Sequence, residues 1–387
     1  MDRKEDYMIY FDNASTTYPK PEPVYAGMDN FIRTHVVNAG RGQYGSANTA
    51  NTLLRDTRDK MKTLLRCNVN HETVFTSSAT EALNVILQGL DFSKIKTVYI
   101  THFEHNAVLR TLAYLQKQWK FDIIPLATTK KPLNYDLTAI QKQFETHKPD
   151  LIIMTHASNV CGLITPVFAI TTLARPYEPI TILDMAQTAG LLGITLSEFG
   201  VDAAIFAGHK TLYAPFGVAG FVMKKDLQLK PLLYGGTGLH SASLEMPESL
   251  PERFEAGSRN IYAIAGLSYA LDWISETGLE EIYAKEQSLK KDLLACLSQF
   301  SNIHIVGKND GIGIVSCVFD QYTADEIGQV LNRFDIAVRT GLHCSPNAHK
   351  FLGTAPAGTV RLSLGYFNTT NDIEELEKVL QYIKEHG

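Results

Sequence analysis

The sequence predicts an α/β fold, a large domain with a mostly parallel sheet sandwiched by helices, plus a smaller C-terminal α+β domain. Three observations carry this. Between about residues 72 and 223, short β-branched or aromatic apolar runs alternate with amphipathic stretches, the pattern of strand-helix repeats around a parallel sheet. Polar residues cluster immediately after those runs, where parallel strands present their sites beyond their carboxyl ends. After about residue 260 the texture changes to long helical patterns and a few isolated apolar runs.

Taken in order, ETVFT is followed by the helical pattern ALNVILQGL, and TVYITH by NAVLRTLAYLQKQW. FDIIPL, LIIMTH, ITILDM, DAAIFA and GVAGFVM continue the strand series. The polar exits are Thr76-Ser77-Ser78, His102 to His105, His156 to Asn159, Asp184 to Gln187, and His209-Lys210. YGGTGLHSASLEMPE, residues 234–248, reads as an outward loop. The second region reads as the helices IAGLSYALDWIS and LEEIYAKEQSLKKDLLACLSQF, the strands IHIV and GIVSCVFD, a helix near 323–333 and a last helix over 371–385.

With 387 residues the chain is long enough for two or three domains. Lys and Arg number 36 against 41 Asp and Glu, a net charge of -5, so no basic excess points to nucleic acid. The charged start Met1 to Asp6 lacks the apolar core of a signal peptide, and no apolar run approaches the roughly 20 residues that span a bilayer. A cytoplasmic protein with no membrane partner is expected. Cys67, Cys161, Cys296, Cys317 and Cys344 form an odd set without a CxxC pair, which fits neither a disulfide framework nor a metal site.

Lys210 ends the segment Ala207-Gly208-His209-Lys210. In a pocket at a strand end, partial burial lowers a lysine's pKa and frees an amine able to form a Schiff base. A lone lysine there is otherwise a solvated charge. Asp184 ends ITILD, where a carboxylate suits the ring nitrogen of pyridoxal phosphate, although a strand-ending Asp also caps helices. Together Asp184, Gln187 and Lys210 are more specific than any one of them. The stretch from Ser77 to Ala82 offers hydroxyls and helix-start N–H groups to a phosphate, or a plain Ser N-cap with Glu81 in a capping box. His105 can stack on a flat ring, act as an acid or base, or be a structural histidine.

In this order and over nearly the whole chain, YFDNASTT, SSATEALN, THFEHNAVL, THASNVCG, ILDMAQTAG, AGHK, RFEAGSRN, RTGLHCSP and GTVRLSLGYFNT resemble the class V aminotransferase superfamily. Within it they resemble the cysteine desulfurase and selenocysteine lyase group, in particular its SufS-like branch. The resemblance implies a pyridoxal 5'-phosphate enzyme of fold type I and a homodimer with sites near the subunit interface. It divides the chain into a large cofactor-binding domain over 15–257 and a small domain from 1–14 and 258–387. Lys210 matches the Schiff-base lysine, Asp184 the partner of the ring nitrogen, and His105 the ring-stacking histidine. Gln187 and Asn159 match residues that bond the cofactor's phenolic oxygen or neighbouring groups. Ala79, Thr80 and His209 match the phosphate site, and Ser258 the hydroxyl residue donated by the other subunit. Arg361 matches the arginine that grips the substrate carboxylate, for which a guanidinium fork suits the geometry. Asn13, Ala14 and Ser15 fall where the family's N-terminal segment lines the substrate pocket, and Arg339 joins the substrate-binding set.

Cys344 is the residue that separates desulfurases from their relatives. It lies near Arg339 and His343, an electropositive setting that can hold a thiol as thiolate. Cys67, Cys296 and Cys317 read as small buried hydrophobes and Cys161 as a lining residue. Two positions depart from the pattern: Ala207 stands where the family usually has Ser or Thr, and Leu342 where the SufS-like RxGHHC has its first histidine. The implied reaction converts L-cysteine to L-alanine and leaves a persulfide on Cys344 for a sulfur-acceptor protein or thiol. Rival activities are selenocysteine lyase and another class V reaction, transamination or epimerisation. A sulfur-handling scaffold without turnover would be expected to lack Lys210 or Cys344.

Overall fold

The computed structural model describes residues 8–386 except 36, 38–41, 43 and 239–241, so the charged start and part of the 234–248 loop lie outside the described residues. A seven-stranded sheet occupies the centre. Its spatial order is His71–Thr76, Ala219–Lys224, Ala203–Ala207, Ile180–Asp184, Leu151–Thr155, Thr97–Ile100 and Asp122–Pro125. These are the seven apolar runs read from the sequence. Ala219–Lys224 is antiparallel to both of its neighbours, and the others run in one direction.

Both sheet faces are covered, which is why the strands read as continuous apolar runs. Along Leu151–Thr155, Ile152 and Met154 enter the core on one face while Leu151 and Ile153 enter it on the other. Helices Gly45–Leu64 and Ile261–Thr277 supply the first core, Ala79–Gly89 and Asn106–Leu115 the second. Gly45–Leu64 escaped the sequence reading for a physical reason. Its buried stripe includes Ala47, Ala50 and Thr57, too small and too polar to stand out as apolar periodicity.

A second sheet, four-stranded and antiparallel, has the order Ile303–Val306, Ile314–Phe319, Thr359–Ser363, Arg339–Gly341. Leu293, Phe319, Leu331, Leu362 and Leu376 build its separate core. The helix Ala324–Arg333 starts at a Thr323–Glu326 capping box. Arg339–Gly341 and the helix Pro346–Leu352 are only three and seven residues long, too short for periodicity to mark them. The strand Ile9–Tyr10 pairs in parallel with Ile336–Ala337, and Ile9 and Phe11 join this second core. From there residues 12–20 cross to the main sheet and tie the two halves together. Among the described residues no helix is long and apolar enough to cross a membrane.

Candidate active site

The exits of the parallel strands converge on one cavity of about 230 Å³. Lys210 enters it after Ala203–Ala207, through a turn that requires Gly208. A Cβ there would lie 2.5 Å from the Val218 carbonyl. The N-terminal crossing segment holds this turn: Thr16 Oγ1 and Lys20 Nζ each donate to the His209 carbonyl at 2.8 Å, and Thr17 Oγ1 to the Lys210 carbonyl at 2.8 Å. Asp184 is buried and accepts the Ala186 N–H at 2.9 Å through Oδ1. Gln187 donates to the Ala14 carbonyl at 2.9 Å. On the opposite wall, Ser78 caps the helix Ala79–Gly89 by accepting the Glu81 N–H at 3.1 Å, and the Glu81 carboxylate accepts the Ser77 N–H at 2.8 Å. Ala79, Thr80, His105, Asn159 and His209 also line the cavity, so eight of the residues singled out from sequence meet there.

Burial dominates the electrostatics. It pushes the Lys210 ammonium down to about 8, against the attraction of Asp184 and with repulsion from Arg361. It raises the Asp184 carboxyl, against the Ala186 hydrogen bond and Lys210. It takes His105 down to about 4, helped by Lys210, Arg110 and Arg339. His105 Nδ1 accepts the Ala107 N–H at 3.0 Å as the N-cap of Asn106–Leu115. The neutral ring therefore carries its proton on Nε2. His209, pushed down to about 4 by burial, Lys210 and Lys20, stacks on Phe216 with centroids 4.5 Å apart, and its buried Nδ1 has no partner.

Glu104 was missed by the sequence reading, although it stands inside THFEHN. It is fully buried, and its Oε1 accepts from Thr101 Oγ1 at 2.7 Å and from the Thr155 N–H at 2.8 Å, while Oε2 has no partner. Burial pushes its carboxyl up to about 8 against those hydrogen bonds, so it is a neutral acid at pH 7. The one signal in the sequence was an acidic residue at a strand exit.

Cys344 opens instead on an adjoining groove of about 590 Å³, which shares Thr80, His105 and Ala107 with the inner cavity. His343 and Cys344 adopt the left-handed region in succession, with φ of 47° and 58°. Non-glycine residues there are strained, and such strain persists only where surrounding contacts impose it. Asn159 supplies two of them, donating through Nδ2 to the His343 carbonyl and accepting from Ser345 Oγ, both at 2.7 Å. The Asn106 N–H donates to the Cys344 carbonyl at 2.7 Å. The expected electropositive contribution of His343 is corrected. Burial, with Arg361, pushes this imidazole down to about 2, and its Nε2 lies 2.8 Å from Thr359 Oγ1, so it is neutral. The positive charge that reaches Cys344 comes from Lys210 and Arg361.

Arg361, Arg339, Asn13, Ala14 and Ser258 line neither cavity. Arg361 is buried on Thr359–Ser363 and bonds Asp12, Ser15 and the Asn159 carbonyl. Burial lowers its pKa against the stabilising charge of Asp12. Arg339 is exposed and donates to Ser15 Oγ at 2.9 Å. Asn13 is a tether: its Nδ2 lies 3.1 Å from both the Ser363 carbonyl and Asn368 Oδ1. Ser258 is exposed on the loop after Glu255, whose carboxylate accepts from Arg58 at 2.7 Å and Arg259 at 2.9 Å.

A family model described as Aminotransferase class-V matches residues 9–376. The chain belongs to the class V aminotransferase family. It is 29% identical over 386 residues to a probable cysteine desulfurase of Methanothermobacter thermautotrophicus, covering 98% of this chain and 95% of that protein. To a probable cysteine desulfurase of Halalkalibacterium halodurans it is 28% identical over 392 residues, with 98% and 94% covered. Among solved structures, an apo cysteine desulfurase from Thermococcus onnurineus superposes with a TM-score of 0.90 at 26% identity, covering 98% of this chain and 95% of that one. The class V family member described here therefore has the fold of these enzymes, fold type I.

Proposed function

We propose that the chain is a pyridoxal 5'-phosphate-dependent cysteine desulfurase that converts L-cysteine to L-alanine and leaves the sulfur as a persulfide on Cys344. The observation that carries this reading is the meeting of Lys210, Asp184, Gln187, His105 and Asn159 in one cavity with Cys344 at its outer edge. The donor set fits the cofactor. The buried carboxyl group of Asp184 shares the cavity with Lys210, a helix start presents its N–H groups beside Thr80, and the unpartnered His209 Nδ1 offers one more polar atom. Lys210 would hold the cofactor covalently and Asp184 its ring nitrogen, with His105 against the ring and Ala79, Thr80, His209 and a second copy's Ser258 at the phosphate. When bound, the cofactor supplies an electron sink for charge developing at the substrate Cα.

Lys210 Nζ, partly neutral at physiological pH because of burial, takes and returns the proton at Cα. Arg361 orients the substrate carboxylate, with Arg339, Asn13 and Ala14 shaping that side. The Cys344 thiolate attacks the substrate sulfur, a new S–S bond forms as the Cβ–S bond breaks, and the electron pair left on carbon is protonated to give alanine. A thiol or sulfur-acceptor protein then takes the outer sulfur. A homodimer, a division into 15–257 and 1–14 with 258–387, a cytoplasmic location and a place in sulfur supply for iron-sulfur cluster assembly belong to the same reading.

The test compares cofactor-loaded wild type with Cys344→Ala for alanine and sulfide formed from L-cysteine. Loss of both products, by about 10²-fold or more, is the expected result for removing a nucleophile. Equal rates would reject the nucleophile. Competition between L-selenocysteine and L-cysteine in the wild type, measured as alanine formed, separates the rival: a strong preference for L-selenocysteine would identify a selenocysteine lyase.

A further inference from the structure

Arg361 already holds a carboxylate. Its Nη2 lies 2.7 Å from Asp12 Oδ1 and 2.9 Å from Ser15 Oγ, its Nη1 donates to the Asn159 carbonyl at 3.0 Å, and its buried Nε has no partner. A guanidinium offers a carboxylate two bidentate edges, Nε with Nη2 and Nη1 with Nη2, and each uses one of the two Nη2 protons. Asp12 Oδ1 and Ser15 Oγ both sit on Nη2, the atom that the two edges share. Neither edge of Arg361 is therefore open to a second carboxylate without competition from Asp12 at Nη2.

We propose that Asp12 is a resident carboxylate that a substrate carboxylate displaces from Arg361, which makes Asp12 a determinant of affinity and selectivity for α-carboxylate ligands. This rests on the reading of Arg361 as the substrate-carboxylate arginine. The exchange is charge for charge, so Arg361, only 2% exposed, is never left buried without an anion. Asp12 can be released because its side chain is 20% exposed and keeps the Ser15 hydroxyl, which donates to it at 2.7 Å. Its backbone stays in place through a bridge to Ser363 and the Tyr10 hydroxyl on its carbonyl. A ligand without a carboxylate has nothing to offer in exchange. Asp12 thus raises the threshold for all carboxylates and excludes neutral amines and thiols from the arginine.

The test uses the cofactor-loaded enzyme and three ligands: L-cysteine as substrate, propionate as an unreactive carboxylate, and cysteamine as a thiol amine without a carboxylate. Asp12→Asn preserves shape and an acceptor oxygen but removes the competing charge. Its KM for L-cysteine and its inhibition constant for propionate should fall about tenfold, the size of one charge-assisted hydrogen bond, with cysteamine inhibition unchanged. Values within twofold of wild type, or a weaker L-cysteine and propionate affinity, would overturn the proposal. Ser15→Ala removes the second acceptor on Nη2 and the hydroxyl that steadies Asp12 Oδ1 while leaving the Asp12 charge in place, and it should tighten propionate about threefold. If Asp12→Asn fails to fold, that variant decides, and unchanged or weaker propionate binding overturns the proposal. Arg361→Lys separates the two readings: if it weakens L-cysteine no more than cysteamine, the assignment of Arg361 fails rather than the role of Asp12.

Discussion

The two walls of the site are built on different principles. The Lys210 wall is made of strand ends of one sheet, and its properties come from burial: a lysine lowered to about 8, a histidine to about 4 and a carboxylic acid raised to about 8. The Cys344 wall is a strained turn from the other half of the chain, and its shape comes from hydrogen bonds that cross between the halves. Burial concentrates function in single groups, whereas cross-linking distributes it. Removing the reacting group of either wall should therefore be severe, whereas loosening the hydrogen bonds that hold the Cys344 turn should have partial effects.

The largest effect should follow from Lys210→Ala. Removing Lys210, the one lysine among the described residues that line the inner cavity, is expected to cost on the order of 10²–10⁴ in rate, with loss of the visible absorption of bound cofactor. Activity within tenfold of wild type would break the comparison at its strongest point. Next comes Glu104. Its folded-state value of about 8 lies above its ordinary 4.5, so the folded chain keeps a proton that the unfolded chain releases between those pH values. Stability contributed by this group is present below about pH 4.5 and is lost as pH rises to about 8, by about 1.4 kcal/mol per unit. Glu104→Gln keeps the acceptor for Thr101 and Thr155 and has no proton to lose. It should be more stable than wild type by up to about 3 kcal/mol at pH 7 and equal to it near pH 4.5. Thermal unfolding at the two pH values checks this; a variant whose stability follows pH as wild type does would show that Glu104 ionises in the fold.

What the sequence made legible follows the same division. Strands buried on both faces become apolar runs and their polar ends stand out, so the exits holding Lys210, Asp184, Gln187, His105 and Asn159 were legible as a set, while the role given to Asn159 came from the family resemblance alone. The second wall has no such signature. Asp12 and Arg361 are 349 positions apart, and Asn159 meets His343 across 184, distances at which no periodicity survives. The neutral state of His343 was likewise illegible, because burial is a property of the assembled core. Asn159→Ala tests that wall. It leaves the buried His343 carbonyl and Ser345 hydroxyl without their bonds, at about 1–3 kcal/mol each. L-cysteine turnover should fall roughly tenfold in parallel with slower alkylation of Cys344 by iodoacetamide, as the turn relaxes from its imposed φ values. Unchanged alkylation with reduced turnover would instead assign Asn159 to the inner cavity alone.

The smallest effect concerns Ala207, the last residue of its strand, 2% exposed and lining the inner cavity where the family's pattern has Ser or Thr. Ala207→Ser adds one hydroxyl to a wall whose phosphate ligands otherwise come from a helix start, Thr80 and His209. A hydrogen bond to a charged group is worth about 1.5–3 kcal/mol, but burying a hydroxyl offsets part of it, which leaves a gain of about threefold to tenfold in cofactor affinity. Titration of cofactor-free protein, followed by absorbance, measures it. Weaker binding would mean that the methyl group, opposite Ala219 in the antiparallel pair, is needed for packing at the strand end. The Lys210 wall would then resemble its counterpart, tuned by shape as much as by burial.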